Sequence, residues 1–314
     1  MKRCCVIGGS GFIGRHLVEL LLNSGRTVTV LDKAPLPDGV FLPKVKYLRI
    51  CSPERVMLRR ALRNAEEVVD LAYATVPKTS FAEPMRDISD NLPFGVDLLQ
   101  TASSLPVQKV VILSSGGTVY GEPLRLPISE EHPTNPISPY GITKLAIEKY
   151  ALMFHHLNNL PVVILRPGNA YGAGQFPFRG QGFVSTAMAS MLLGRGITIF
   201  GRSGTIRDYV HVSDIARGIL ALLDRGRPGH CYNLGSGVGR TNREVISKIS
   251  VLAKAKGLKP KISHAPFRKF DVSANVLDSS KLTRDTGWKN KTSFEEGLAE
   301  TWGWISAHGT LVHS

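Results

Sequence analysis

Residues 4–25, CCVIGGSGFIGRHLVELLLNSG, carry the decisive pattern. CCVIGG (4–9) is a short apolar run that reads as a buried strand, and IGRHLVELLLNS (13–24) repeats apolar positions at helical spacing, with Gly25 as its stop. Between them GGSGFIG sets Gly8, Gly11 and Gly14 in the turn from strand to helix. The first glycine permits the tight turn, the second lets a pyrophosphate approach the backbone, and the third lets helix and strand pack closely. The helix N-terminus then faces the anion with open N–H groups and the positive end of its dipole. The pattern predicts a dinucleotide cradle.

Working outward, TVTVLD (27–32) is a second strand that ends on Asp32, 21 residues after Gly11. A carboxylate there accepts hydrogen bonds from an adenosine ribose and repels a 2′-phosphate, which favours NAD over NADP. Lys33, next in sequence, weakens that preference. EEVVDLAYA (66–74), QKVVILSS (108–115) and PVVILRP (161–167) read as further strands, and a long helix is expected over 139–157. β-branched runs without alternation suit strands covered on both faces, and the βαβα order predicts an α/β, doubly wound parallel sheet. After residue 168 the rhythm changes to glycine- and aromatic-rich loops and shorter elements. Two capping boxes, Thr241-x-x-Glu244 and Ser293-x-x-Glu296, mark helix starts there. The expected division is a dinucleotide-binding domain over 1–168, to which later segments return, and a smaller substrate lobe over 169–314.

Composition sets the bounds. The chain has 314 residues, 43% of them hydrophobic, enough for a sizeable core. No apolar run reaches membrane-spanning length, and MKRCCVIGGSGFIG meets glycine too early for a signal peptide's apolar region. The net charge of +14 suits attraction of small polyanions. Its spread along the chain, without aromatic-interleaved basic motifs, argues against nucleic-acid binding. Cys4, Cys5, Cys51 and Cys231 form no C-x-x-C pair, and the expectation is reduced thiols in a cytoplasmic protein without a metal site.

Two further stretches speak to chemistry: LSSGGTVYG (113–121) and SPYGITK (138–144). Tyr140 and Lys144 fall on one helix face, one turn apart. A free tyrosine holds its proton to about pH 10. A neighbouring ammonium and a cationic nicotinamide both favour the phenolate, so Tyr140 is expected to act as general base on a substrate hydroxyl.

With these stretches in place, the chain resembles the extended short-chain dehydrogenase/reductase family, the NAD-dependent nucleotide-sugar epimerases and dehydratases. The likeness also runs through LRPGNAYGAG (165–174), GRSGTIRDYVHVSDIA (201–216), NLGSG (233–237), DVSANVLDSSKL (271–282) and TGWKNKTSFEEGL (286–298), in an order similar to that of UDP-sugar 4-epimerases. The resemblance implies a Rossmann-type domain holding NAD, a C-terminal lobe for a UDP-sugar, and a homodimer. It implies that Phe12, Ile13, Lys33, Leu71, Ala72 and Pro167 lie beside the cofactor with Tyr140, that Lys144 also holds the nicotinamide ribose, that Asn169 binds near the phosphates, that Arg207 and Arg268 clamp the diphosphate, and that Asp271 contacts the nucleotide ribose.

Departures from the family pattern matter. The usual catalytic Ser or Thr lies five residues before the glycine of VYG, where this chain has Gly116. If the strand stays regular, Ser114, Gly116 and Thr118 share one face. Thr118 is then the first candidate for the catalytic hydroxyl, and Ser115 the second if the backbone bends. Gly117 and Thr118 stand where dehydratases carry an Asp-Glu pair, which leaves no acid for a leaving hydroxyl. Cys51 replaces an Asp near the adenine, Asp70 a histidine, and Phe270 a glycine. Asn275 stands where a large Tyr limits the sugar pocket in similar epimerases, and its amide could bond an acetamido group. The expected activity is inversion at C4 of a UDP-hexose or UDP-N-acetylhexosamine. The alternatives are a reductase, oxidoreductase or decarboxylase of the same fold, or a non-catalytic binding protein.

Overall fold

The computed structural model describes residues 1–34, 45–50, 55–268 and 271–308. Cys51 and Phe270 lie outside the described residues, and with them the two departures noted there.

The first half alternates strands and helices: β1 (Arg3–Ile7), α1 (Phe12–Asn23), β2 (Thr27–Asp32), β3 (Val45–Arg49), α2 (Arg55–Leu62), β4 (Glu67–Asp70), α3 (Pro77–Ala82), α4 (Pro84–Ser103), β5 (Lys109–Leu113), α5 (Pro139–Asn158) and β6 (Val162–Pro167). The second half adds β7 (Asn169–Tyr171), α6 (Phe183–Leu192), β8 (Gly196–Phe200), β9 (Ile206–His211), α7 (Val212–Arg225), β10 (Cys231–Leu234), β11 (Gly239–Thr241), α8 (Asn242–Lys254), β12 (Lys261–Ala265), β13 (Ala274–Asn275), α9 (Ser280–Thr286) and α10 (Phe294–Ala307).

A seven-stranded sheet in the order β10-β6-β5-β4-β1-β2-β3 forms the centre, with every neighbouring pair parallel. Val6 of β1 lies between Val30 of β2 and Val69 of β4. Side chains alternate through the sheet. Cys5 and Ile7 join Leu58, Leu98, Leu99 and Ile147 on the face covered by α2, α4 and α5. Cys4 and Val6 join Leu17, Leu21, Ile215 and Ile219 on the face covered by α1 and α7. Burial on both faces is why these strands lack polar alternation. Each fully buried Leu or Ile contributes about 1.5–3 kcal/mol.

The strand order reverses between β1 and β4, and a ligand crevice opens beyond the carboxyl ends of strands at such a point. The four-residue β10 returns from the second half to the sheet beside β6. A second core gathers Val184, Met188, Ile246, Ile249, Leu298 and Trp302 from α6, α8 and α10. Both capping boxes form as expected, at the starts of α8 and α10. Strands β4 and β5 are shorter than their apolar runs. Helix α4 breaks the usual reading because Pro93 lies inside it. An interior proline costs about 3 kcal/mol, and here burial of Phe94, Leu98 and Leu99 against the sheet offsets it.

Candidate active site

The loop from β1 into α1 is shaped by steric demand. Gly8 has a φ of +77°, and a Cβ on it would lie 3.0 Å from the Ala72 nitrogen and 3.1 Å from the Leu71 carbonyl carbon. A Cβ on Gly14 would collide with the Gly8 carbonyl oxygen and lie 2.6 Å from Gly9 Cα. Gly11 caps α1 without a side-chain hydrogen bond, so the first-turn N–H groups have no capping partner of that kind. Gly8, Gly11, Phe12, Ile13 and Gly14 line a cavity of about 970 Å³, and Leu71 and Pro167 lie on its wall. The absent side chains, open helix N-terminus and cavity together fit a dinucleotide pyrophosphate.

Asp32 ends β2 beside this loop. Its Oδ2 accepts from Ser10 N at 2.9 Å and its Oδ1 from Ala34 N at 3.1 Å. An ionised carboxylate retains further lone pairs, so it braces the loop while keeping capacity for a ribose. Lys33 is exposed.

Helix α5 starts at Ser138, whose hydroxyl accepts from Gly141 N at 3.2 Å, with Pro139 in the first turn. Tyr140 and Lys144 both line the same cavity as the glycine loop. Lys144 is buried, and its Nζ donates to Leu113 O at 2.8 Å. Burial pulls its ammonium down to about 8, against the charges of Asp70, Glu148 and Asp87, which favour the ammonium. The Tyr140 phenol departs from expectation: burial first, and then the Asp87 carboxylate, hold it above the ordinary tyrosine range. In the protein alone, both burial and the Asp87 carboxylate oppose the phenolate.

Strand β5 stops at Leu113, and residues 116–120 form a turn. The strand alternation expected for Ser114, Gly116 and Thr118 is therefore absent. The Ser114 hydroxyl turns inward and donates to Glu148. Glu148 in turn accepts from Arg166 Nε at 2.9 Å, in a buried ion pair beneath the site. Ser115 and Thr118 both line the cavity. Thr118 Oγ1 is buried and has no hydrogen-bond partner among the described residues.

The two adjacent glycines differ. A Cβ on Gly116 would sit 2.5 Å from Leu277 Cδ1 and 2.9 Å from Arg166 O, whereas one on Gly117 meets nothing nearer than Asn169 Oδ1 at 3.5 Å. Gly116→Ser is expected to cost about 1–3 kcal/mol by overpacking, while Gly117→Ser leaves the melting temperature near the parent's. Thermal unfolding of the two variants checks this, and equal losses would contradict it.

Asn169 opens β7 on the cavity wall, and Arg207 of β9, Arg268 and Asp271 line the far end. Burial lowers the Arg207 guanidinium. Arg268 Nε donates to Asp271 Oδ2 at 2.9 Å and its guanidinium lies 3.9 Å from the centre of the Phe200 ring. Asn275 is placed differently from its neighbours: it is buried, its Nδ2 donates to Gly116 O at 2.8 Å, and it is not part of the cavity wall.

Tyr73, Asp87 and Glu148 escape the sequence reading. Glu148 had a signal, since Tyr140, Lys144 and Glu148 follow at four-residue steps on one helix face. Tyr73 and Asp87 had none, because only tertiary packing brings them to α5.

Among the described residues, no cluster of three or more His, Cys, Asp or Glu is placed to hold a metal, and no helix is long and apolar enough to cross a membrane.

The profile of the NAD dependent epimerase/dehydratase family matches residues 4–235. The UDP-glucose 4-epimerase of Mycolicibacterium smegmatis is 32% identical over 306 residues, covering 95% of this chain and 97% of that protein. The crystal structure of the Thermus thermophilus UDP-glucose 4-epimerase complex with NAD superimposes with a TM-score of 0.89 at 34% identity, covering 98% of this chain and 99% of that one. A dTDP-glucose 4,6-dehydratase from Streptomyces venezuelae, with NAD bound, superimposes with the same TM-score of 0.89 at 28% identity, covering 98% of this chain and 97% of that one.

Proposed function

Since the chain belongs to the NAD dependent epimerase/dehydratase family, we propose that it inverts C4 of a UDP-hexose. The observation that carries this reading is that Tyr140, Lys144, Thr118, the glycine cradle and Arg207 all face one cavity. The dehydratase alternative is disfavoured because Gly117 and Thr118 supply no carboxyl group to protonate a leaving hydroxyl.

NAD would be held by Gly8, Gly11, Phe12, Ile13, Gly14 and Asp32, and would supply a reversible acceptor for the C4 hydride and a cationic ring. Tyr140 takes the proton from the 4-hydroxyl and gives it back. Lys144 favours the phenolate, and Thr118 Oγ1 supports the sugar oxygen, with Ser115 beside it. Arg207 and Arg268 neutralise the diphosphate. Anchoring at the diphosphate with slack at the sugar lets the ring present both faces. Asn275 Nδ2 donates to Gly116 O and the residue lies off the cavity wall, so its influence on the sugar runs through the position of the glycine pair.

NMR of the purified protein with UDP-glucose, UDP-galactose and their N-acetyl forms, without added cofactor, tests the reading. Interconversion at C4 of the plain hexoses is expected. Unchanged spectra across the panel, or elimination of water, would overturn it.

The pH profile follows from Lys144. Its ammonium is lost as pH rises through about 8, so the proton-transfer step loses its cation and activity falls on that limb. Asp70 is the foremost carboxylate favouring the ammonium. Asp70→Asn removes that charge, and the alkaline limb of kcat is expected to move to lower pH. A limb that stays in place would separate it from Lys144.

A further inference from the structure

We propose that Tyr73, whose hydroxyl donates to Asp87 of α4, is a positioning residue: its ring face holds the Lys144 ammonium while its contact with Tyr140 fixes the phenol. This assignment rests on the epimerase reading of the same site and adds a third member, an aromatic one, to the Tyr140–Lys144 pair.

The geometry is specific. Lys144 Nζ lies 4.0 Å from the centre of the Tyr73 ring and 5.9 Å from that of Tyr140, so Tyr73 is the nearer aromatic partner of the ammonium. A cation over an aromatic face is attracted by the ring quadrupole, most strongly where water is excluded. The Tyr73 and Tyr140 rings meet edge to face, 4.8 Å apart at 68°. Tyr73 therefore touches both members of the pair.

Its own placement is built from α4. Asp87 Oδ1 accepts from the Thr75 hydroxyl and, at 3.4 Å, from the Tyr73 hydroxyl. Asn91 Oδ1 accepts from Ala74 N at 2.7 Å, and its Nδ2 donates to Thr75 Oγ1 at 3.3 Å. The segment 73–75 is thus held at each residue. Asp87 is fully buried, and its Oδ2 has no hydrogen-bond partner among the described residues. A carboxylate oxygen left so in a core is costly, which marks Asp87 as more than filling.

The charged and titratable groups facing the pair come from every packed element: Asp70 at the end of β4, Tyr73 after it, Asp87 on α4, and Glu148 on α5, which is paired with Arg166 of β6. Asp87 opposes ionisation of both Tyr73 and Tyr140. The arrangement sets a buried anion against the phenolate and an aromatic face in support of the ammonium, so the ring's removal and the anion's removal act in opposite senses.

The experiment compares Tyr73→Leu, Tyr73→Phe and Asp87→Asn in the full chain with NAD added. Ionisation of Tyr140 is read as the ultraviolet tyrosinate signal lost when each background also carries Tyr140→Phe, and kcat and KM for C4 inversion are measured in parallel. Tyr73→Leu is expected to lower kcat about thirtyfold with KM little changed, and to move Tyr140 ionisation to higher pH. Tyr73→Phe, which keeps the ring, recovers most of that loss. Asp87→Asn moves Tyr140 ionisation to lower pH. A folded Tyr73→Leu with unchanged kcat and titration overturns the assignment. If Tyr73→Leu fails to fold, a folded Tyr73→Met with unchanged kcat and Tyr140 titration overturns it instead. If the parent inverts none of the sugars yet its Tyr140 titration still shifts in Tyr73→Leu, the epimerase reading falls and the positioning role stands.

Discussion

Tyr140→Phe is expected to lower kcat for C4 inversion by about 10²- to 10⁴-fold, the usual contribution of a positioned general base, while UDP binding stays at the parent level. The phenol oxygen is the only atom removed, and the ring keeps its edge-to-face contact with Tyr73. The backbone nitrogen still donates to Ser80 Oγ at 3.2 Å, so the start of α5 is preserved. The loss therefore belongs to proton transfer and not to folding. Calorimetric binding of UDP alongside the kinetics makes the separation. A variant that keeps parent-level turnover would remove Tyr140 from the chemistry, and with it the proposed mechanism. A pure binding protein of this fold would be indifferent to the change.

The second large effect is expected at Gly14. Gly14→Ala puts a methyl group against the Gly8 carbonyl and 2.6 Å from Gly9 Cα, and all of its nearest neighbours are backbone atoms. No flexible side chain can swing away, so α1 must shift from the loop or the loop must open. Overpacking of this kind costs up to about 3 kcal/mol. If most of that strain is relieved by opening the loop, the dissociation constant for NAD rises about a hundredfold. Equilibrium dialysis against NAD, with a thermal melt to confirm folding, reads the outcome. Unaltered NAD affinity in a folded Gly14→Ala would mean that close packing of loop and helix is not what shapes the cradle.

The two predictions test features of different origin. The cradle is written locally: four apolar residues, three spaced glycines and a helix-periodic run leave little freedom in what the backbone does between residues 4 and 24. The Tyr140–Lys144 spacing is local as well, since one helical turn sets both on the same face wherever α5 lies. The capping boxes at Thr241 and Ser293 were readable for the same reason, each being a bond between residues three apart.

What lay beyond the sequence depends on contacts between distant segments. The direction of the Ser114 hydroxyl was decided by Glu148 of α5, not by strand alternation, because β5 ends one residue earlier. Asn275 was drawn to the Gly116 carbonyl across 159 positions. Desolvation of the Tyr140 phenol follows from how closely α4, α5 and the segment after β4 pack, and no spacing in the sequence encodes it. The sequence by itself determined the parallel sheet, the dinucleotide turn and the tyrosine–lysine pair, because short-range sterics and helical period dictate them. The tertiary structure alone decided which hydroxyls face the cavity and which buried charges surround the pair, because those depend on side chains that meet only after the layers close.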